Sequence, residues 1–174
     1  MSTTADTTVT TQVYRVYIRA TPQAIWDAIT DPAWNSRFGY PGTMEYDLRP
    51  GGAFRAVAPP EMVQAGMMPE VVADGEVVEA DPPRRLVQTW RFLFDPDLVA
   101  EGFTRMTWEI DEDDGGVSSL TVTHELENAP KTAEQVASVA HIFQGGGGWT
   151  MVLSDLKSLL ETGSPMFGKR ASEG

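Results

Sequence analysis

The chain has no cysteine among its 174 residues, which excludes disulfide bonds, thiolate metal sites and cysteine nucleophiles together. Basic residues are few: 13 Lys and Arg stand against 25 Asp and Glu, so the net charge is −12. This charge repels phosphate backbones, and no basic run forms a patch that would bind nucleic acid. No apolar run approaches the roughly 20 residues that span a bilayer, and the Thr-rich start does not resemble a signal peptide. We therefore expect a soluble, cytoplasmic protein.

The composition predicts one folded domain. A hydrophobic content of 41% is enough for one sizeable core in a chain of this length. Residues 1–12 and residues 163–174 contribute little apolar material, and we expect both segments to be flexible. The folded domain is therefore predicted over residues 13–162.

Alternating apolar and polar residues predict a mostly antiparallel β-structure. VYRVYIRA is the first strand candidate, and the helix TPQAIWDAIT follows with Thr21 as N-cap and Pro22 at its first position. DPAWN predicts a second short helical turn. Six further strand candidates are TMEYDLR, GAFRAVA, DGEVVEA, RLVQTWRFLF, FTRMTWEIDE and VSSLTVTHEL. Asp114-Gly115 predicts a hairpin turn between the last two, and residues 132–160 have a helical pattern, which together indicate an α+β fold.

Four glycines stand directly before the apolar stripe of the terminal helix. A glycine inside a helix costs about 1 kcal/mol relative to alanine. Gly145 and Gly146 would lie on the face of that stripe, so their missing side chains would leave a cavity against the sheet. A close helix–sheet contact or a simple helix break is the alternative interpretation. The residues of the stripe are Trp149, Val152, Leu153, Leu156, Leu159 and Leu160.

Four ordered segments carry a family resemblance across residues 13–162: IRATPQAIWDAITDPAWNSRF, DLRPGGAFR, GEVVEADPPRRLVQTW and GGWTMVLSDLKSLLETG. They resemble the bacterial START-like (SRPBCC or Bet v-like) superfamily. Within it, the chain is similar to the C-terminal domain of the activator of the ninety-kilodalton heat-shock protein's ATPase. The resemblance implies a helix-grip fold. In that fold a curved antiparallel sheet of about six to seven strands wraps a long C-terminal helix, and two short helices follow the first strand.

The resemblance also implies a function. It favours binding of a small hydrophobic or amphipathic ligand between the sheet and the C-terminal helix, without catalysis and without a cofactor. One alternative is an enzyme of the cyclase or hydratase type with His124 as acid/base. Another is a chaperone-cofactor protein that stimulates a heat-shock-protein ATPase. The partners in these hypotheses are the small molecule, a second copy of the chain, or a chaperone.

Polar side chains on apolar strand faces are the candidate site residues. In SSLTVTHEL the alternation places His124 with Leu120 and Val122, and imidazole transfers protons near neutral pH. The alternative is a core histidine whose hydrogen bonds are satisfied. Gln88 and Tyr46 lie on apolar faces in the same way. The candidate cavity-lining residues are Trp34, Phe38, Tyr46, Phe54, Gln88, Trp90, Trp108, His124, His141, Gly145, Gly146 and Trp149.

Two loop segments complete the predictions. APPEMVQAGMMPE is a Met-rich loop that either closes over the mouth of a cavity or packs onto the core. The acidic residues 111–114 predict a solvated turn, because adjacent carboxylates at a hairpin tip do not converge on one ion. We therefore expect no metal site.

Overall fold

The computed structural model describes residues 10–137 and 147–167, which form seven β-strands and six α-helices. The strands are β1 (Thr11–Ile18), β2 (Thr43–Tyr46), β3 (Ala53–Val57), β4 (Val71–Asp81), β5 (Arg85–Phe92), β6 (Thr104–Glu112) and β7 (Ser118–Glu125). The helices are α1 (Pro22–Thr30), α2 (Pro32–Asn35), α3 (Pro60–Gln64), α4 (Pro96–Ala100), α5 (Pro130–Val136) and α6 (Gly148–Thr162). The predicted α+β class is confirmed.

The seven strands form one curved antiparallel sheet in the order β1-β7-β6-β5-β4-β3-β2. Strands that follow one another from β2 to β7 are neighbours, so short hairpin-like connections build most of the sheet. β1 and β2 lie at opposite edges, and α1 and α2 occupy the connection between them. The two short helices after the first strand are therefore confirmed.

The inner face of the sheet and α6 bury the core between them. On β7 the side chains of Leu120, Val122 and His124 are fully buried, as the alternation predicts. The strand register places His124 opposite Met106, and Met106 opposite Gln88. From the other side, α6 contributes a buried apolar stripe that includes four of the predicted residues: Trp149, Leu153, Leu156 and Leu159.

The local start signals of the first helices act as the sequence predicts. The Thr21 hydroxyl accepts a hydrogen bond from Ala24 N at 3.1 Å, and Pro22 is the first residue of α1. The Asp31 carboxylate caps α2 by accepting from Ala33 N at 2.9 Å. These caps fix where the chain turns between β1 and β2.

The terminal helical region is divided rather than continuous. α5 ends at Val136 and α6 begins at Gly148, while Gly147 has φ 99° and Gly148 has φ 51°. Positive φ is strained for any residue with a Cβ, so these glycines permit a turn that a helix interior would not. The predicted helical pattern over residues 132–160 is therefore interrupted at Gly147, and α6 starts at this backbone break.

Other boundaries differ from the predictions by short segments. β1 begins at Thr11, two residues before the predicted start of the domain. The Met-rich segment contains the short helix α3, and α4 was not predicted. None of the helices within residues 10–137 and 147–167 is long and apolar enough to cross a membrane.

Candidate functional site

Polar and aromatic side chains meet between the inner face of the sheet and the start of α6. We name this group the polar–aromatic cluster. All of its members except the half-buried Tyr46 are at least nine-tenths buried. The members are Tyr46 on β2, Gln88 and Trp90 on β5, Thr104 and Trp108 on β6, His124 on β7, and Trp149 on α6.

One half of the cluster is centred on the side-chain amide of Gln88. Its Oε1 accepts hydrogen bonds from the Tyr46 hydroxyl and from Trp108 Nε1, both at 3.1 Å. Burial raises the pKa of the Tyr46 phenol above its ordinary value, and the hydrogen bond to Gln88 opposes part of that rise. Tyr46 is therefore a neutral phenol whose hydroxyl donates a hydrogen bond to the amide oxygen.

The orientation of this amide follows from its partners. An indole N–H only donates, so the atom of Gln88 that faces Trp108 is the carbonyl oxygen. The NH₂ group then points elsewhere, and Nε2 is buried without a hydrogen-bond partner in the described part of the chain. Buried donors are nearly always paired in folded proteins, so this atom is an exception that needs a chemical explanation.

The other half of the cluster is centred on His124, and both of its ring nitrogens are bonded to protein groups. The Thr104 hydroxyl donates to Trp90 O at 2.7 Å, so its oxygen accepts from His124 Nε2, also at 2.7 Å. Trp149 Nε1 donates to His124 Nδ1 at 3.2 Å. These roles define the neutral tautomer with the proton on Nε2. Burial lowers the pKa of His124 to about 4, which agrees with a neutral ring.

This geometry bears on the predicted acid/base role. A general base needs a free lone pair within reach of a substrate proton. Here the lone pair on Nδ1 accepts from Trp149, and the ring is fully buried. The arrangement matches the alternative interpretation, a core histidine with satisfied hydrogen bonds.

Aromatic packing joins the two halves. Trp108 and Trp149 meet edge to face with ring centroids 5.2 Å apart, and Trp90 meets His124 in the same way at 5.4 Å. Edge-to-face pairs of this kind contribute about 0.5–1.5 kcal/mol beyond their burial. The start of α6 is therefore attached to the sheet through Trp149, which contacts both halves.

The remaining predicted residues fall in three groups. Phe54 is buried with its ring centroid 4.8 Å from that of Tyr46, and Phe38 lies in the core. Trp34 is 37% exposed, and the Arg37 guanidinium lies 4.9 Å from its ring centroid, so it belongs to the surface. The predictions for His141, Gly145 and Gly146 concern residues outside the described part of the chain.

Sequence reasoning missed several buried polar residues. Asn35 bridges α1 and β2, because its Nδ2 donates to Ile29 O and Met44 O, and its Oδ1 accepts from Met44 N. Asp155 is fully buried on α6, where it accepts from Gly39 N at 2.7 Å and Phe167 N at 2.6 Å. The only signal for Asp155 was a charge inside an apolar stripe.

Two cavities in the described part of the chain open at the surface, away from the cluster. One of about 410 Å³ lies between α4 and α5, and one of about 280 Å³ lies between β1 and α6. Neither is lined by a member of the polar–aromatic cluster. Within residues 10–137 and 147–167, no three His, Asp or Glu side chains come together as metal ligands.

The sheet order, the two helices after β1 and the terminal helix packed on the inner face define a helix-grip protein of the START-like superfamily. The chain belongs to the family described as Activator of Hsp90 ATPase homolog 1-like protein, whose model matches residues 19–161. No curated protein matches the sequence.

Solved structures with the same fold cover most of this chain at low identity. CalU16 from Micromonospora echinospora is 21% identical over 94% of this chain and 71% of its own, with a TM-score of 0.60. PFC0360w, an Hsp90 activator from Plasmodium falciparum, is 21% identical over 86% of both chains, with a TM-score of 0.53. DynU16, from the dynemicin biosynthetic locus, is 22% identical with a TM-score of 0.63. The match covers 90% of this chain and 49% of DynU16, so this chain spans about half the length of that protein. At these sequence identities, the similarity to the three proteins is a similarity of fold alone.

Proposed function

We propose that this protein binds a small hydrophobic or amphipathic molecule between the inner face of the sheet and α6, without transforming it. The observation that carries this proposal is the polar–aromatic cluster itself. Three tryptophans and four hydrogen-bonding side chains converge where an ordinary core would use aliphatic residues. Apolar walls with a few convergent polar groups are typical of small-molecule sites.

The location of the cluster supports the same function. Trp149 enters it from the first turn of α6, directly after the backbone break at Gly147. A helix end that follows a glycine break adjusts its position at lower cost than the middle of a helix, because fewer backbone hydrogen bonds resist the movement. A ligand that enters between sheet and helix would displace this end first.

Native mass spectrometry of freshly purified protein tests the proposal, together with an organic extract of the same sample. We expect a small molecule that leaves the protein on denaturation and is absent from a matched preparation of an unrelated protein. The proposal is contradicted if the protein carries no such molecule and a titration with small aromatic probes gives no saturable binding.

Membership in the Hsp90-activator-like family favours a second candidate function, stimulation of a heat-shock chaperone ATPase. PFC0360w is described as an Hsp90 activator, and it shares this fold. The second function predicts a saturable complex with the chaperone and an increase in its ATP hydrolysis. The first function predicts neither effect, so one chaperone titration separates them.

A further inference from the structure

The unpartnered donor of Gln88 is the feature of the interior that the fold itself does not explain. Its Oε1 is accounted for, because Tyr46 and Trp108 both need an acceptor. Its Nε2 is buried and donates to no atom of residues 10–137 and 147–167. The rest of the cluster shows that the fold satisfies its donors elsewhere: both nitrogens of His124 and the Thr104 hydroxyl are paired.

The missing partner of Nε2 is a hydrogen-bond acceptor. An amide N–H pairs with an oxygen lone pair, as in a carbonyl, ether or hydroxyl group. Indole rings surround the same amide: Trp108 donates a hydrogen bond to its oxygen, and Trp149 packs against Trp108. A molecule bound here would therefore have an apolar body and one acceptor atom.

The charges of the interior indicate that this molecule is neutral. Among residues 10–137 and 147–167, no Lys or Arg side chain is buried. His124 is neutral, because its Nδ1 lone pair accepts a hydrogen bond from Trp149 and its burial disfavours the charged ring. A carboxylate or phosphate placed beside Gln88 would lose its hydration without gaining a cation, which is costly in an apolar interior.

We infer that Gln88 Nε2 is the polar contact of the ligand site, and that it selects a neutral, largely apolar ligand presenting one carbonyl-type oxygen. This inference rests on the proposed ligand-binding function and specifies its chemistry. Gln88 then has two roles: its oxygen accepts hydrogen bonds from Tyr46 and Trp108, and its nitrogen donates a hydrogen bond to the ligand.

Three probes of similar shape test the inference in a nuclear magnetic resonance titration of ¹⁵N-labelled protein. Acetophenone carries a carbonyl, α-methylstyrene replaces that oxygen with a methylene group, and benzoate adds a negative charge. We expect acetophenone to bind about tenfold more tightly than α-methylstyrene, which is the effect of one neutral hydrogen bond in a buried site. Benzoate should bind most weakly of the three. The side-chain amide protons of Gln88 should move downfield with acetophenone alone.

Gln88→Met removes the donor while keeping the length of the side chain, and it should abolish the preference for acetophenone. The same substitution at the exposed Gln64 is the matched control and should leave the preference unchanged. Because Gln88→Met also deprives Tyr46 and Trp108 of their acceptor, it could weaken the fold. The downfield shift in the unmodified protein therefore decides the question independently of this variant.

The possible results separate the inference from the function on which it rests. Equal affinities for acetophenone and α-methylstyrene, with the Gln88 amide unshifted, would overturn the inference and leave ligand binding intact; a buried water would then be the partner of Nε2. Preferential binding of benzoate would also overturn it, because the site would then favour an anion. If no probe binds saturably and native mass spectrometry finds no bound molecule, the inference and the proposed function fail together.

Discussion

Acidification should destabilise this protein through protonation of His124. The contribution of His124 can be separated from that of the other titrating groups. The folded protein holds His124 neutral, with a pKa of about 4 compared with 6.5 for an unperturbed histidine. Between these two values the unfolded chain binds a proton that the folded chain does not. Stability contributed by the neutral ring is therefore fully present above pH 6.5 and is lost as the pH falls from 6.5 to about 4.

The magnitude follows from the size of this difference. Each pKa unit corresponds to about 1.4 kcal/mol, so the complete loss is about 3 kcal/mol below pH 4, and about 2 kcal/mol is lost by pH 5. The cause is structural. Protonating Nδ1 would put a proton where Trp149 Nε1 already donates, and it would leave a buried cation with no acidic partner among the cluster residues.

Urea unfolding of the native protein and of His124→Gln at pH 7.5 and pH 5 measures this effect. The quantity compared is the change in the free energy of unfolding between the two pH values in each protein. The contribution of the carboxylates is the same in both proteins and therefore cancels. We expect the native protein to lose about 2 kcal/mol more than the variant. Parallel losses in the two proteins would show that His124 is accessible or already protonated, and the assigned tautomer would be wrong. Histidine ¹⁵N chemical shifts report that tautomer directly.

Three further substitutions and one control, Thr150→Ala, test the packing, each by urea unfolding at pH 7.5. Trp149→Ala should cost about 3–5 kcal/mol, because it removes a buried indole and its edge-to-face contact; a cost below about 1 kcal/mol would contradict the packing of α6. Gly147→Ala should cost about 1–2 kcal/mol, since a Cβ at φ 99° is strained, whereas Thr150→Ala on the exposed face of α6 should change stability by less than about 0.5 kcal/mol. Equal effects of these two would argue against the backbone break. Asn35→Ala should cost about 2–3 kcal/mol, because Met44 N and O lose their partner; an unchanged midpoint would mean that water replaces the amide.

The strands were predictable because each has an apolar face toward the core, and period-two alternation records that face directly in the sequence. An Asp-Pro pair at the helix start predicted α2, and the same pair is present at the start of α4. Asp95 caps that helix by accepting from Asp97 N at 2.8 Å. α4 was missed although it carries this signal and, at five residues, is longer than α2. A helix break at the glycines was predicted as an alternative, but only the backbone φ angles of the structure locate it at Gly147.

The hydrogen bonds of the cluster were not predictable, because they depend on register between strands. Alternation assigns Gln88 and His124 to the inner face, but it does not state which residue lies opposite each. The register sets Trp90 opposite Thr104 and Met106 opposite His124, and only then does the threonine hydroxyl reach the imidazole. Asp155 was missed for a similar reason, since its partners Gly39 and Phe167 are remote in sequence.

The two halves of the cluster differ in how their polar groups are used, and this difference is the reason that the proposed ligand contact is Gln88 rather than His124. A purely structural interior would replace Tyr46, Gln88 and Trp108 with apolar residues of similar volume, which is often neutral or stabilising when all polar partners are removed together. In the His124 half, both ring nitrogens, the Thr104 hydroxyl and Trp149 Nε1 are paired within the protein, so their polarity serves to hold α6 on the sheet. The Gln88 half leaves one donor over after its own members are satisfied. That surplus is what a binding site requires, because only a group not used by the fold remains to recognise a ligand.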